Sequence, residues 1–260
     1  MNVLLLVKQV PDTEARIKVN PDGKNIVTDG VKYILSPYDE FVVEEGVRIK
    51  EKHGGEVVAI TAGPARAKEL LTTCLAVGAD KGVHVSDTTL AGGDSFATAE
   101  ALAAACRKFQ YDVILCGKKA VGVDRGITGP AVAQMLGVPF VSNIVKLEFS
   151  DDKKKATVTS EVEGGTEVYE VELPAVFSCQ KGLNVLRHVS LPGIMKAKTK
   201  PKQELKAADL GVSDAKASAK LRMAGMAYPP ERKSGRVLQG DPQQAVDELM
   251  RLLHEEAKVI

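Results

Sequence analysis

The residues best suited to chemistry lie in one run, Cys116-Gly117-Lys118-Lys119-Ala120-Val121-Gly122-Val123-Asp124-Arg125-Gly126-Ile127-Thr128-Gly129-Pro130. Four glycines and several small side chains let backbone N–H groups approach an anion closely, because glycine has no side chain to hold it away. Lys118, Lys119 and Arg125 add full positive charges. The N-terminus of the helix that follows, read from Ala131, adds free donors and a partial positive charge. The chemistry implied is phosphate binding. The run matches neither G-x-x-x-x-G-K-[ST] nor G-x-G-x-x-G, so an ordinary strand-to-helix connection is the competing reading.

Position requires a strand before the run and a helix after it. Val113-Ile114-Leu115 reads as a buried strand within Tyr111–Cys116, and Ala131 to Leu136 as helical. The same alternation fills residues 1–137. A first strand spans 2–9, and Val10-Pro11-Asp12 ends it. A short strand at 15–19 precedes the turn Asn20-Pro21-Asp22-Gly23. Ser36-Pro37-Tyr38-Asp39-Glu40 opens a helix, with Ser36 as cap, Pro37 in the first turn and acids at the positive end. Gly54-Gly55 ends it. A strand at Glu56–Ala62, a helix at 65–76, a strand at Lys81–Val85 and an Ala-rich helix at 95–108 capped by Asp94 follow. Short apolar strands joined by helices imply a parallel sheet covered on both faces. Ligands of such sheets sit at the carboxyl ends of strands, so the loops after Val7, Ile60 and Leu115 should meet.

The pattern changes after Pro139. Residues 141–149, 156–162 and 167–173 alternate apolar and polar, as antiparallel hairpins do. Pro174 to Ser178 returns to a buried strand. Residues 183–206 show no clear periodicity, and 207–240 read as an extended arm. Asp241-Pro242 opens an amphipathic helix over 242–257, with Ala245, Val246, Leu249, Leu252 and Leu253 on one face.

Composition narrows the function. The 260 residues are 44% hydrophobic, carry a formal net charge of +1, contain no tryptophan and are only 4% aromatic. There is no global field to draw nucleic acid, and no aromatic platform on which bases would stack. The lysines of 196–206 read as a solvated face. No apolar run reaches the ~18 residues of a membrane span, and no targeting segment precedes the first strand; the expectation is a soluble cytoplasmic protein without membrane insertion. Cys74, Cys106, Cys116 and Cys179 are not spaced as a zinc or dithiol site and read as buried reduced thiols. No nucleophile–base arrangement and no metal-ligand spacing stands out. Carrier or binding function is therefore expected ahead of catalytic turnover.

Taken together, several stretches resemble the beta subunit of electron transfer flavoprotein over nearly the whole chain. They are Val7-Lys8-Gln9-Val10-Pro11-Asp12, Thr28-Asp29-Gly30-Val31, Ser36 to Glu40, Glu44-Glu45, Gly78-Ala79-Asp80-Lys81-Gly82, Gly117 to Pro130, Glu161-x-Glu163-Gly164-Gly165 with Leu173-Pro174-Ala175-Val176, and Leu191-Pro192-Gly193-Ile194-Met195-Lys196-Ala197-Lys198. The resemblance implies a Rossmann-like adenine-nucleotide-binding domain over 1–182, including the hairpin region 140–173. It further implies a partner-recognition loop over 183–206, and a C-terminal arm and helix over 207–260 packing on an alpha subunit. It implies AMP as a structural ligand here and the redox FAD mainly on alpha. Electrons would pass from acyl-CoA dehydrogenases or similar flavoenzymes of fatty acid oxidation to a quinone-linked membrane oxidoreductase.

By position, Leu6, Ser36, Pro37, Tyr38, Asp39, Ala62 and Lys118, Lys119, Ala120, Val121, Gly122, Val123, Asp124, Arg125, Gly126, Ile127, Thr128 and Gly129 would surround the nucleotide. Leu191 would anchor the docking loop, with Pro192, Ile194 and Met195 beside it, and Glu161 would face the alpha subunit and its FAD. Some members bind a second FAD in place of AMP and bifurcate electrons. Asp94-Ser95-Phe96-Ala97-Thr98-Ala99 resembles that branch; Thr128-Gly129 and the stretch 191–198 resemble the AMP branch.

Overall fold

The structure is a computed structural model that describes residues 1–86, 94–212, 219–231 and 234–260, with the backbone alone at residue 207. It contains two compact units, Met1–Ala224 and Gly225–Ile260.

The first unit is built on a nine-stranded sheet. Its strands are β1 (Val3–Leu6), β4 (Val57–Gly63), β5 (Lys81–Ser86), β6 (Val113–Gly117), β7 (Phe140–Phe149), β8 (Lys155–Val162), β9 (Gly165–Glu172), β10 (Ala175–Cys179) and β11 (Lys202–Lys206). A separate pair joins β2 (Gln9–Pro11) to β3 (Tyr33–Leu35) antiparallel. The order in the large sheet is β11-β5-β4-β1-β6-β10-β7-β8-β9. All pairings from β11 to β7 are parallel. β7 changes the direction of the sheet: its first residues pair parallel with β10, and its remainder pairs antiparallel with β8, which pairs with β9. The expected hairpin region is thus an extension of the main sheet.

The reason for apolar side chains at every central position is visible in β1. Val3 and Leu5 point into one core, with helix α1 (Pro37–His53) and helix α2 (Glu69–Val77). Leu4 and Leu6 point into the other, with helix α3 (Ser95–Cys106) and helix α4 (Thr128–Leu136). A strand covered on both faces has no solvent side, and each buried Leu or Val contributes roughly 1.5–3 kcal/mol. The hairpin is covered on one face only: Ala156, Val158 and Ser160 of β8 are buried, whereas β9 buries Val171 alone.

Several local expectations are corrected. The first strand stops at Leu6, and Val10 belongs to β2. Residues 15–19 contribute only an isolated bridge from Val19 to Ile26. Helix 65–76 begins as a tight 3-10 turn at Ala65–Lys68. Ser36 precedes α1 but makes no side-chain cap hydrogen bond; its hydroxyl is buried and unpartnered. Residues 183–206 are not an irregular loop. They contain helix α5 (Leu191–Thr199) and edge strand β11. The periodicity is hidden because α5 is short and Pro192-Gly193 sits in its first turn, where proline is tolerated. The arm expected over 207–240 opens with a helical turn, α6 (Ala207–Leu210), while 213–218 and 232–233 lie outside the described residues.

In the second unit, Asp241 and Gln244 form a reciprocal capping box that starts helix α7 (Pro242–Arg251). The helix continues as a wider turn over Leu252–Ala257. None of its residues is buried, and Val246, Leu249 and Met250 are exposed.

Candidate functional site

From β1 the chain moves outward on one side through β4 and β5, then returns to the other side as β6. Backbone loops diverge at that reversal and leave a crevice. The crevice is a cleft of about 410 Å³, of the size that holds small ligands. Its floor comes from the ends of β1 (Leu6, Val7, Lys8), β4 (Ala62, Gly63), β6 (Cys116, Gly117) and β10 (Ser178). The three loops expected to meet do meet.

The Lys118–Gly129 loop forms one wall. Gly122, Asp124 and Gly126 have φ of 89°, 53° and 65°, the left-handed region where glycine is unstrained and aspartate tolerable. Lys119 pairs with Asp124 at 3.1 Å and so closes the loop on itself. At the start of α4 stands Ile127, which offers no side-chain cap. By contrast α3, α5 and α7 are capped by Asp94, Ser190 and Asp241. The first donors of α4, the Thr128 and Gly129 N–H groups, thus have no side-chain cap, and both residues line the cleft. Gly129 lets this helix end approach the sheet: a Cβ there would stand 2.6 Å from Cys116 Sγ. Lys118, Lys119 and Arg125 all reach the cleft. An anion held by backbone and flanked by these cations fits the chemistry of the wall.

Asp39 is buried at the floor, in the first turn of α1. Lys8 N–H donates to its Oδ2 at 2.7 Å. Burial is the dominant influence on the carboxyl and pushes it up to about 7, against the opposing pull of the Lys8 and Gly117 N–H groups and the Lys8 ammonium. Gly117 must be glycine because a Cβ would collide with Asp39 Oδ1. Lys8 itself is pulled below the usual lysine range, first by burial among the cleft walls, with Arg125 adding repulsion and Asp39 opposing. The thiol of Cys116 is pushed up by burial and by Asp39. All four cysteines are free and buried, and none is a nucleophile in this setting.

Of the residues expected around a nucleotide, Leu6, Asp39, Ala62, Lys118, Lys119, Ala120, Val123, Arg125, Gly126, Thr128 and Gly129 line the cleft. Ser36, Pro37, Tyr38, Val121, Gly122, Asp124 and Ile127 are not part of this lining. The cleft also takes Lys8, Gln9, Pro64, Arg66, four residues of α3 and its cap (Asp94, Ser95, Thr98, Leu102) and Met223. Lys8 and Arg66 follow strand ends already expected there, and their charge was the available signal. Asp94 reads in sequence as a helix cap and as the start of the stretch that resembles the second-FAD branch. Met223 has no local signal, since it is brought in from residues far along the chain.

A second feature lies apart from the cleft. In α5, Gly193 and Ala197 face α2; a Cβ on Gly193 would stand 2.5 Å from Ala76 O, and Ala197 is fully buried. On other sides of the same helix, Leu191, Ile194 and Met195 are 78%, 42% and 63% exposed. Lys200 fixes the end of α5 by donating to Leu75 O and Ala79 O at 3.0 and 2.6 Å, capping α2. Ahead of α5, Arg187 grips Glu44 and Glu51 of α1 through four side-chain hydrogen bonds of 2.7–3.0 Å. An apolar stripe is thus displayed on a rigidly held helix. Glu161, exposed near the end of β8, accepts from Gln180 Nε2 at 2.9 Å.

Among the described residues no helix is long and apolar enough to cross a membrane. The electron transfer flavoprotein domain model matches residues 24–210. The chain is 38% identical over 261 residues to the electron transfer flavoprotein subunit beta of Bacillus subtilis (strain 168), covering 100% of both chains. It is 38% identical to the mitochondrial subunit beta of Arabidopsis thaliana, again over 100% of both. With the Homo sapiens subunit beta it shares 38% over 239 residues, 90% of this chain and 91% of that one. The cleft at the sheet reversal, the mixed sheet and these full-length likenesses agree, and the chain belongs to the electron transfer flavoprotein family as a beta subunit, an electron-transfer family that pairs beta with an alpha subunit.

Proposed function

We propose that this subunit holds AMP in the cleft as a structural ligand. With an FAD-bearing alpha subunit, it would relay electrons from acyl-CoA dehydrogenase-type flavoenzymes to a quinone-linked acceptor. The observation that carries the nucleotide assignment is the uncapped start of α4 beside Lys118, Lys119 and Arg125 at the sheet reversal. Leu6, Ala62, Leu102 and Met223 supply apolar surface for a base, and the donors of the loop and helix would hold the phosphate. The flavin, carried by the partner, supplies the electron chemistry; this chain binds, positions and docks. Docking falls to Leu191, Ile194 and Met195, whose exposure suits an apolar anchor entering a groove. A stand-alone nucleotide module would leave that stripe and the exposed apolar side chains of α7 without purpose.

A second reading has its own support. Asp94, Ser95 and Thr98, which resemble the branch with two flavins, face the same cleft. In that reading the cleft takes the dinucleotide of a second FAD, and the complex bifurcates electrons. Co-purification with the alpha subunit, followed by nucleotide and flavin quantification, separates the two. One AMP and one FAD per heterodimer is the expected result; two FAD per heterodimer would sink the AMP assignment.

A further inference from the structure

One wall of the cleft comes from the far end of the first unit. Met223 lines the cleft from an irregular segment, and the carboxylate of Asp94 accepts two backbone N–H groups of that segment. Asp94 is buried. Its Oδ1 accepts from Ala97 N–H at 2.9 Å and caps α3. Its Oδ2 accepts from Lys220 N–H at 2.8 Å and Leu221 N–H at 2.7 Å. The Lys220 ammonium also stands 5.2 Å from the centre of the Phe96 ring. Two backbone donors on one charged oxygen make a strong, directional clasp for a stretch with no ladder of its own. Asp94, Ser95 and Thr98 line the same cleft, so clasp and ligand space share the first turn of α3.

We infer that Asp94 is a positioning residue that draws Lys220–Met223 over the nucleotide cleft as its outer wall, so that ligand occupancy and docking of this segment reinforce each other. The inference rests on the proposed nucleotide reading and extends it. A ligand touching Met223 gains only while the segment is docked, and the segment gains only while the ligand is present. By linkage the two gains are the same factor.

Asp94→Asn separates the two roles of the carboxylate. Asparagine caps helices as well as aspartate does, so its oxygen can keep Ala97 N–H. Its amide then presents donors to the two donors of the clasp, which cannot pair. Leu221→Pro removes one donor from the other side and leaves Asp94 and α3 untouched. The full-length chain, freed of nucleotide, is titrated with AMP and separately with FAD by calorimetry. Amide exchange over residues 219–224 is followed by mass spectrometry with and without ligand.

In the parent chain, ligand should slow exchange at Lys220 and Leu221. Both variants should bind at least about fivefold more weakly, the low end of ordinary coupling, and lose that protection, read at Lys220 alone in Leu221→Pro, with α3 exchange as in the parent. Parental affinity in either variant, or exchange at 219–224 that ignores bound ligand, overturns the coupling and leaves the nucleotide reading standing. A parent chain that binds neither AMP nor FAD overturns the nucleotide reading and the coupling with it.

Discussion

Asp39→Asn should change sign in its effect on stability as pH rises. The carboxyl is buried in the floor of the cleft and held at about 7 instead of 3.8, chiefly because burial penalises its charge. The folded chain therefore keeps a proton that the unfolded chain releases at lower pH. The stability this group contributes is complete below 3.8 and is lost as pH rises through about 7. Above that point the buried charge costs on the order of 4 kcal/mol. The groups facing it are the Lys8 ammonium, with Arg125 beyond, and the thiols of Cys74, Cys116 and Cys179, which burial keeps protonated. Asparagine has no charge to desolvate. It offers one acceptor oxygen, whereas the carboxyl keeps acceptor capacity on both oxygens even when protonated, so either Lys8 or Gly117 N–H loses a partner, at a cost of about 1–2 kcal/mol at any pH. The variant should be less stable than the parent by that amount near about pH 4. It should be more stable by roughly 2–3 kcal/mol near about pH 8, with the crossing near about pH 5. Urea unfolding of both full-length chains across this range, followed by circular dichroism, measures the difference directly. Parallel stability profiles would refute the reasoning, because they would mean that Asp39 titrates alike folded and unfolded.

Other substitutions probe the remaining contacts. Gly129→Ala places a Cβ 2.6 Å from Cys116 Sγ; it should destabilise by about 1–3 kcal/mol and weaken AMP binding, with Cys116→Ala restoring part of both. Arg187→Ala strips the nearly buried Glu44 carboxylate of its partner and should cost about 2–4 kcal/mol in urea unfolding, less for Arg187→Lys. Leu191→Ala removes an exposed side chain, so stability should hold within about 0.5 kcal/mol and bound nucleotide should be unchanged. Electron transfer from an acyl-CoA dehydrogenase should nevertheless slow, and an unaltered stopped-flow rate would remove Leu191 from the docking surface.

The sequence by itself determined the layers. Runs such as Val3-Leu4-Leu5-Leu6 and Val113-Ile114-Leu115 have no polar alternation, so their strands had to be covered on both faces. The glycines and cations of 117–129 marked a wall of the cleft, which we propose holds an anion, because those residue types act locally, through backbone shape and charge. Ser36 shows where local rules stop: it is a sound cap by type, yet its hydroxyl is buried without a partner. Residues 183–206 show the same limit, since α5 and β11 are shaped by α2 and β5, which they pack on and pair with. What only the tertiary structure decided is how distant pieces meet. Asp94 reads as the cap of one helix, and nothing near Lys220–Met223 announces a partner. Folding brings them together across 126 residues, where the second oxygen of the buried Asp94 carboxylate accepts the backbone N–H groups of Lys220 and Leu221.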